Sequence, residues 1–287
     1  MNMNDDLKVH YESQGYLHVP GVVSGPMLTR LQNAFDAAAA KYSGQWPASS
    51  KDLFYDIPHI LDQDDVFVDL ADIPTLFPII LAIIGSDIQL LQTQARLLRP
   101  GPAPTPPWHS DMAGLRGVNI GQTLNFHLKV HFYPYDLTPE QGTLAFLPGS
   151  HRYPEGIETP DIPEDSQSSV IRRVVPRAGD AVVFNTHLLH MAQANRSKQV
   201  RKSLIYSYSH FWVRGTASGV PKDLDRLATT PQRRQLFQQW TEDLDAPPFF
   251  VKAYEPEVGP DLKGELKGLM SAGQNLLRRT LKGDNRR

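Results

Sequence analysis

The 287-residue chain contains no cysteine. That excludes disulfides, thiolate zinc sites, iron–sulfur clusters and cysteine nucleophiles, and it fits a reducing compartment. Long apolar runs are missing too. The most hydrophobic stretch, Ile79 to Ile84, is far too short to span a bilayer. The start, MNMNDDLKVHYESQGY, carries acids and no apolar core, unlike a signal peptide. The end carries no lipidation or peroxisomal signal. A cytoplasmic location without stable membrane association is the expectation. The net charge of −2 gives no global attraction to nucleic acid. No internal repeat or low-complexity tract is present. None of these features encodes an oligomeric state.

What is present is an ordinary globular composition, 40% hydrophobic and 21% charged, in a chain long enough to bury a sizeable core. Ser24 and Pro26 mark a helix start, and Leu28, Leu31, Phe35, Ala38 and Tyr42 recur at helical spacing. A second helix is predicted from about Pro74 to Ile84, stopped by Gly85. From Ile88 to Phe211 the pattern changes. Runs such as IQLLQTQARLL, LNFHLKVHFYP, TLAFLPG, SVIRRVVP, DAVVFN and KSLIYSYSHFW read as strands. The segments RPGPAPTPP, PGSHRYPEG and PRAGD punctuate them. Many short strands with such turns indicate a sandwich or barrel. After Trp212 the chain turns helical, with Thr230 and Pro231 opening QRRQLFQQW. The expected plan is one domain over 1–260, with a β core at about 88–212, followed by a basic tail over 261–287. Ser43 to Asp64 and Tyr153 to Ser169 are lid candidates.

The chemistry concentrates in three places. His109 and Asp111 stand two apart, so on a strand they face the same side and converge on one ion. Further on, NTHLLH supplies a second histidine, either His187 or His190. Two histidines and one carboxylate form the facial set of non-haem iron(II) oxygenases, which leaves coordination positions open for reactants. In the next strand Arg201 and Ser203 share a face. A guanidinium fork beside a hydroxyl suits the distal carboxylate of a keto acid. Two other readings use the same ligands: a metal-binding, cupin-like jelly-roll without catalysis, and a zinc hydrolase with a bound water, which has no use for Arg201 and Ser203.

These motifs, in this order, resemble the phytanoyl-CoA dioxygenase-like family of iron(II)/2-oxoglutarate oxygenases, over roughly Tyr11 to Phe211. YESQGYLHVPGVVSGPMLTRLQNAF is similar to the family's N-terminal strand and helix. QARLLRPG and PPWHSD resemble its first metal-ligand region, and EQGTLAFLPGSHR its P-G-S-H turn. GDAVVFNTHLLHMAQANRSKQVRKSLIYSYS resembles its distal histidine and arginine region. The resemblance implies a mainly β, double-stranded β-helix (jelly-roll) core with flanking helices. It selects His190 over His187 as third ligand and Arg201 as the keto-acid residue. It also suggests Gln94, with Thr143 and Asn195 as weaker co-substrate candidates, and gives His151 a structural role. The implied reaction consumes 2-oxoglutarate and O2, releases succinate and CO2, and oxidises a substrate C–H bond, with hydroxylation as the default. The carboxylate of Asp111 excludes the halogenation route that needs a small residue there. A small molecule of natural-product biosynthesis is the expected substrate.

Two strands are candidates for the substrate pocket. Asn125, His127, Lys129 and His131 share one face of their strand, and Phe126, Leu128, Val130 and Phe132 the other. Alternation alone leaves open which face is inside. His210 and Trp212 likewise share a face, as an aromatic pocket candidate.

Overall fold

A computed structural model describes residues 3–46, 53–111, 125–153, 162–164, 166 and 168–239. The expected basic tail over 261–287 lies outside them, as does the end of the segment opened by Thr230.

Helices gather before and after a β core. The first are α1 (Asp5–Gln14), α2 (Gly25–Lys41), α3 (Asp65–Asp69) and α4 (Phe77–Ile84); α5 (Leu224–Leu227) and α6 (Pro231–Leu236) follow the strands. As predicted, Ser24 stands at the N-cap of α2 and Gly85 ends α4. In α6 the Thr230 hydroxyl accepts from the Arg233 N–H at 3.1 Å. Helix α4 begins three residues later than predicted, which puts Pro78 in its first turn, where its missing N–H costs nothing. No helix among the described residues is long and apolar enough to cross a membrane.

The strands are β1 (Tyr16–Val19), β2 (Phe54–Ile57), β3 (Ile88–Leu98), β4 (His127–Phe132), β5 (Leu144–Phe146), β6 (Arg172–Val174), β7 (Ala181–Asn185), β8 (His190–Ala192) and β9 (Arg201–His210). They form an antiparallel sheet in the order β1-β7-β4-β9-β3-β2 and a smaller one in the order β6-β5-β8. This is the jelly-roll expected. Between the sheets Phe146, Phe184, Leu144, Val182, Leu188 and Tyr133 make an apolar core.

Among the elements that escaped prediction, two shape the N-terminal half. Helix α1 buries only Tyr11, so its periodicity is weak; Asn4 caps it by accepting from the Leu7 N–H at 2.9 Å, and Gly15 closes it at φ 84°. Strand β2 lies inside the lid candidate Ser43–Asp64. It pairs along β3, and the neighbouring Ile60 and Leu61 are buried, so this half of the segment belongs to the core.

The register settles which face of β4 is inside. Along β4 exposure alternates, with His127, Lys129 and His131 half-buried and Leu128, Val130 and Phe132 buried. Phe132 packs edge-on against Tyr206 at 5.3 Å, and the Tyr206 hydroxyl donates to the Phe67 carbonyl of α3 at 2.6 Å. The apolar face therefore packs under helices. The polar face looks into the barrel, where Lys129 reaches Asp111.

Candidate metal and co-substrate site

The prolines of RPGPAPTPP remove ladder donors, so His109 and Asp111 do not lie on a regular strand as expected. Instead the segment runs beside β8, with Thr105 N–H donating to Ala192 O at 2.9 Å and Ala192 N–H to Pro106 O at 3.1 Å. His109 forms an isolated bridge with His190, exchanging both backbone hydrogen bonds at 3.0 and 2.9 Å. Asp111 follows in a turn. The convergence survives: His109, Asp111 and His190 each offer a ligand atom, all within 4.8 Å of one another. His187 is not in that group. Its ring lies edge-on to Phe126 at 5.9 Å.

Both imidazoles are held for ligation. His109 Nδ1 lies 2.8 Å from Pro107 O, and His190 Nδ1 lies 2.8 Å from Leu188 O. A carbonyl accepts only from a protonated nitrogen, so each ring presents the lone pair of Nε2. Those two atoms each stand 3.7 Å from an oxygen of Asp111. Burial pushes His190 down to about 4, despite the opposing charge of Asp111, so it is neutral at pH 7. Burial alone would raise Asp111. Contact with His109 and the charges of His190 and Lys129 outweigh it and hold the carboxyl well below its usual range. Asp111 Oδ2 is buried and has no hydrogen-bond partner among the described residues, while Oδ1 accepts from Lys129 Nζ at 2.6 Å. Two Nε2 lone pairs and an orphaned carboxylate oxygen fit a divalent iron ion.

The distal histidine is clamped from the P-G-S-H turn. Leu147 N–H donates to Leu189 O at 3.0 Å, and Leu189 N–H donates to the buried Ser150 hydroxyl at 2.8 Å. Sequence reasoning missed Ser150, although it lies within the quoted motif. His151 is structural, as expected, with Nε2 3.2 Å from Glu12 O.

Arg201 and Ser203 are both buried on the inner face of β9. Arg201 donates to Gly142 O at 2.7 Å, and no carboxylate pairs with it among the described residues. Burial lowers it to about 10, with the charge of Arg96 adding to the shift and Tyr133 opposing it, so it stays charged at neutral pH. Gly142 has φ 72°, and a Cβ there would run into the backbone oxygens of Gln193 and Ala194, so only glycine places this carbonyl. His131 lies between the two halves of the site. Its ring is 5.3 Å from Phe184, which is itself 4.8 Å from His190, and burial with the charges of Lys129, His190, Arg96 and Arg201 holds it well below its usual range.

The remaining candidates have local partners. Gln94 Nε2 donates to Asp56 Oδ2 at 2.8 Å, beside a bidentate Arg96–Asp56 pair at 2.8 and 2.7 Å. Thr143 donates to Gln193 at 2.9 Å. Asn195 braces its own turn, donating to Leu98 O and Gln199 O. His210 stacks on the exposed Trp212 at 6.0 Å, away from the ligand group.

Comparison with known proteins gives the family and the fold. The family described as Phytanoyl-CoA dioxygenase (PhyH) matches residues 11–203. An L-proline trans-4-hydroxylase of Streptomyces griseoviridis is 23% identical over 265 residues, covering 77% of this chain and 97% of the relative. Among solved structures, HygX from Streptomyces hygroscopicus with nickel and 2-oxoglutarate bound superposes with a TM-score of 0.59 at 18% identity, covering 74% of this chain and 89% of its own. The non-haem alpha-ketoglutarate-dependent carbocyclase SnoK of nogalamycin biosynthesis gives a TM-score of 0.59 at 21% identity, covering 79% and 90%.

Proposed function

Because this chain belongs to the phytanoyl-CoA dioxygenase family, and with it to the 2-oxoglutarate-dependent non-haem iron oxygenases acting on small molecules, we propose that His109, Asp111 and His190 are its iron ligands and Arg201 with Ser203 its co-substrate anchor. The reaction proposed is hydroxylation of a C–H bond in a small molecule of natural-product metabolism. The observation that carries this reading is Arg201: a charged guanidinium, buried, bonded only to a carbonyl and lacking an acid among the described residues. Burying such a charge is costly unless something pairs with it. The distal carboxylate of a keto acid supplies the partner.

When bound, iron(II) couples O2 to decarboxylation of 2-oxoglutarate and oxidation of the substrate. The chain's own residues do the rest. Three ligands on one side leave the opposite side free for reactants. Arg201 and Ser203 orient the co-substrate, and Gly142 O orients Arg201. Phe184 and Phe146 pack beside His190 and keep water from that side. The test is succinate release by the iron-loaded chain. Asp111→Ala should lower it about 100-fold or more, since it removes a ligand outright; undiminished release would refute the assignment.

A further inference from the structure

We propose that Lys129, Ser207 and His127 form a subsite for the carboxylate of the prime substrate, so that the enzyme acts on a small organic acid. This rests on the iron/2-oxoglutarate reading above and narrows its substrate class.

The β4–β9 ladder sets the geometry. It pairs His131 with Ile205, Lys129 with Ser207 and His127 with Ser209, all facing the barrel interior. Arg201 lies six residues before Ser207 on the same strand. At a rise of about 3.3 Å per residue that separates them by roughly 20 Å. A five-carbon diacid anchored on Arg201 and reaching the metal does not extend to Ser207. Ser207 and His127 therefore lie beyond the anchored end of the co-substrate, and Lys129 reaches from their side to Asp111.

They are also unsatisfied. Ser207 Oγ and His127 Nε2 are buried without a hydrogen-bond partner among the described residues, and Ser207 is 0% exposed. Buried polar atoms nearly always have partners. Lys129 Nζ spends one donor on Asp111 at 2.6 Å, and an ammonium has three. An ammonium and a hydroxyl on adjacent strands, with an imidazole one pair further along, complement a carboxylate with a second acceptor beside it. A cationic substrate head would meet Lys129 head-on.

The test uses the full chain loaded with Mn(II) and saturating 2-oxoglutarate. Benzoate, cyclohexanecarboxylate and indole-2-carboxylate are titrated calorimetrically, each beside its own carboxamide. The acids should bind about tenfold or more tightly than the amides, the ratio expected for one charge-assisted hydrogen bond. Lys129→Met should erase that preference and Lys129→Arg should keep it. Ser207→Ala should weaken the acids several-fold, about the effect of one lost hydrogen bond. Equal binding of acids and amides, or an acid preference that survives Lys129→Met, overturns the proposal. Loss of 2-oxoglutarate binding in Lys129→Met also overturns it, because Lys129 would then belong to the co-substrate. Failure of the wild-type metal-loaded chain to bind 2-oxoglutarate is a different result and overturns the underlying reading instead.

Discussion

Replacing Arg201 by methionine should stabilise the ligand-free protein while removing its affinity for 2-oxoglutarate. The magnitudes come from the site. Burial lowers Arg201 from 12.5 to about 10. At roughly 1.4 kcal/mol per pKa unit, carrying this charge at pH 7 costs the folded state about 3 kcal/mol. The sign follows from linkage: a group that binds its proton less tightly when folded destabilises the fold at every pH where it is charged in both states. The hydrogen bond to Gly142 O returns about 1–2 kcal/mol. Methionine fills similar space without charge, so the variant should gain about 1–2 kcal/mol. Its affinity for 2-oxoglutarate should fall by about 2–4 kcal/mol, some 30- to 1,000-fold, for loss of a charge-assisted pair. Urea unfolding of the metal-loaded protein, with and without co-substrate, reads both effects. Wild type should be strongly stabilised by 2-oxoglutarate and the variant hardly at all. A variant destabilised without ligand yet equally stabilised by it would refute the assignment of Arg201.

Ser150→Ala should lose about 1–2 kcal/mol of stability and about tenfold in metal affinity, because Leu189 N–H is left buried without its acceptor beside His190; metal titration with a competing chelator measures it, and unchanged affinity would separate the turn from the ligand. The pH dependence of stability should expose His127, which burial and Lys129 lower from 6.5 to about 4. Its contribution is complete above about pH 6.5 and is lost as pH falls toward 4, since only the unfolded chain takes up the proton in that window. In metal-free protein the difference between wild type and His127→Phe should change by about 1.4 kcal/mol per pH unit there; a difference flat across pH 4.5–6.5 would show that His127 is not buried in its neutral form.

Much of this fold is legible because its local signals agree. Ser24, Pro26 and Gly85 sit at the helix ends where capping chemistry puts them. The long strands β3 and β9 were readable, β3 as a leucine-rich run ended by Pro and Gly and β9 from its Ile and Tyr residues, and the short β8 was not, because its three residues carry no pattern of their own. The metal ligands were legible from residue type and order. Spacing alone left His187 and His190 open; the family resemblance selected His190, and the bridge that sets it directly opposite His109 gives that choice a geometric reason. The face of β4 could not be read, because alternation has the same period whichever side is buried. What decides it is that one side meets helix α3 and the other meets the ligands. The Asp56–Arg96 pair joins residues forty positions apart, on an edge strand whose sequence carries no strand signal.

Charge inside the barrel ties the two halves of the site together. The chain as a whole is slightly acidic, with a net charge of −2. Among the described residues its inner face runs the other way, with Arg96, Lys129 and Arg201 against Asp56 and Asp111. Arg96 is neutralised by Asp56 through two short hydrogen bonds, which leaves one cation in surplus at Arg201. A divalent metal increases the surplus by two and competes with Lys129 for Asp111. A doubly charged keto acid then removes two, and its distal end settles Arg201. One positive charge is left over in the loaded site, and it resides on Lys129, whose own counter-ion now serves the metal. In a low-dielectric interior that charge draws a further anion. This is the physical reason to expect an acid, and not an amine, as the molecule that completes the site.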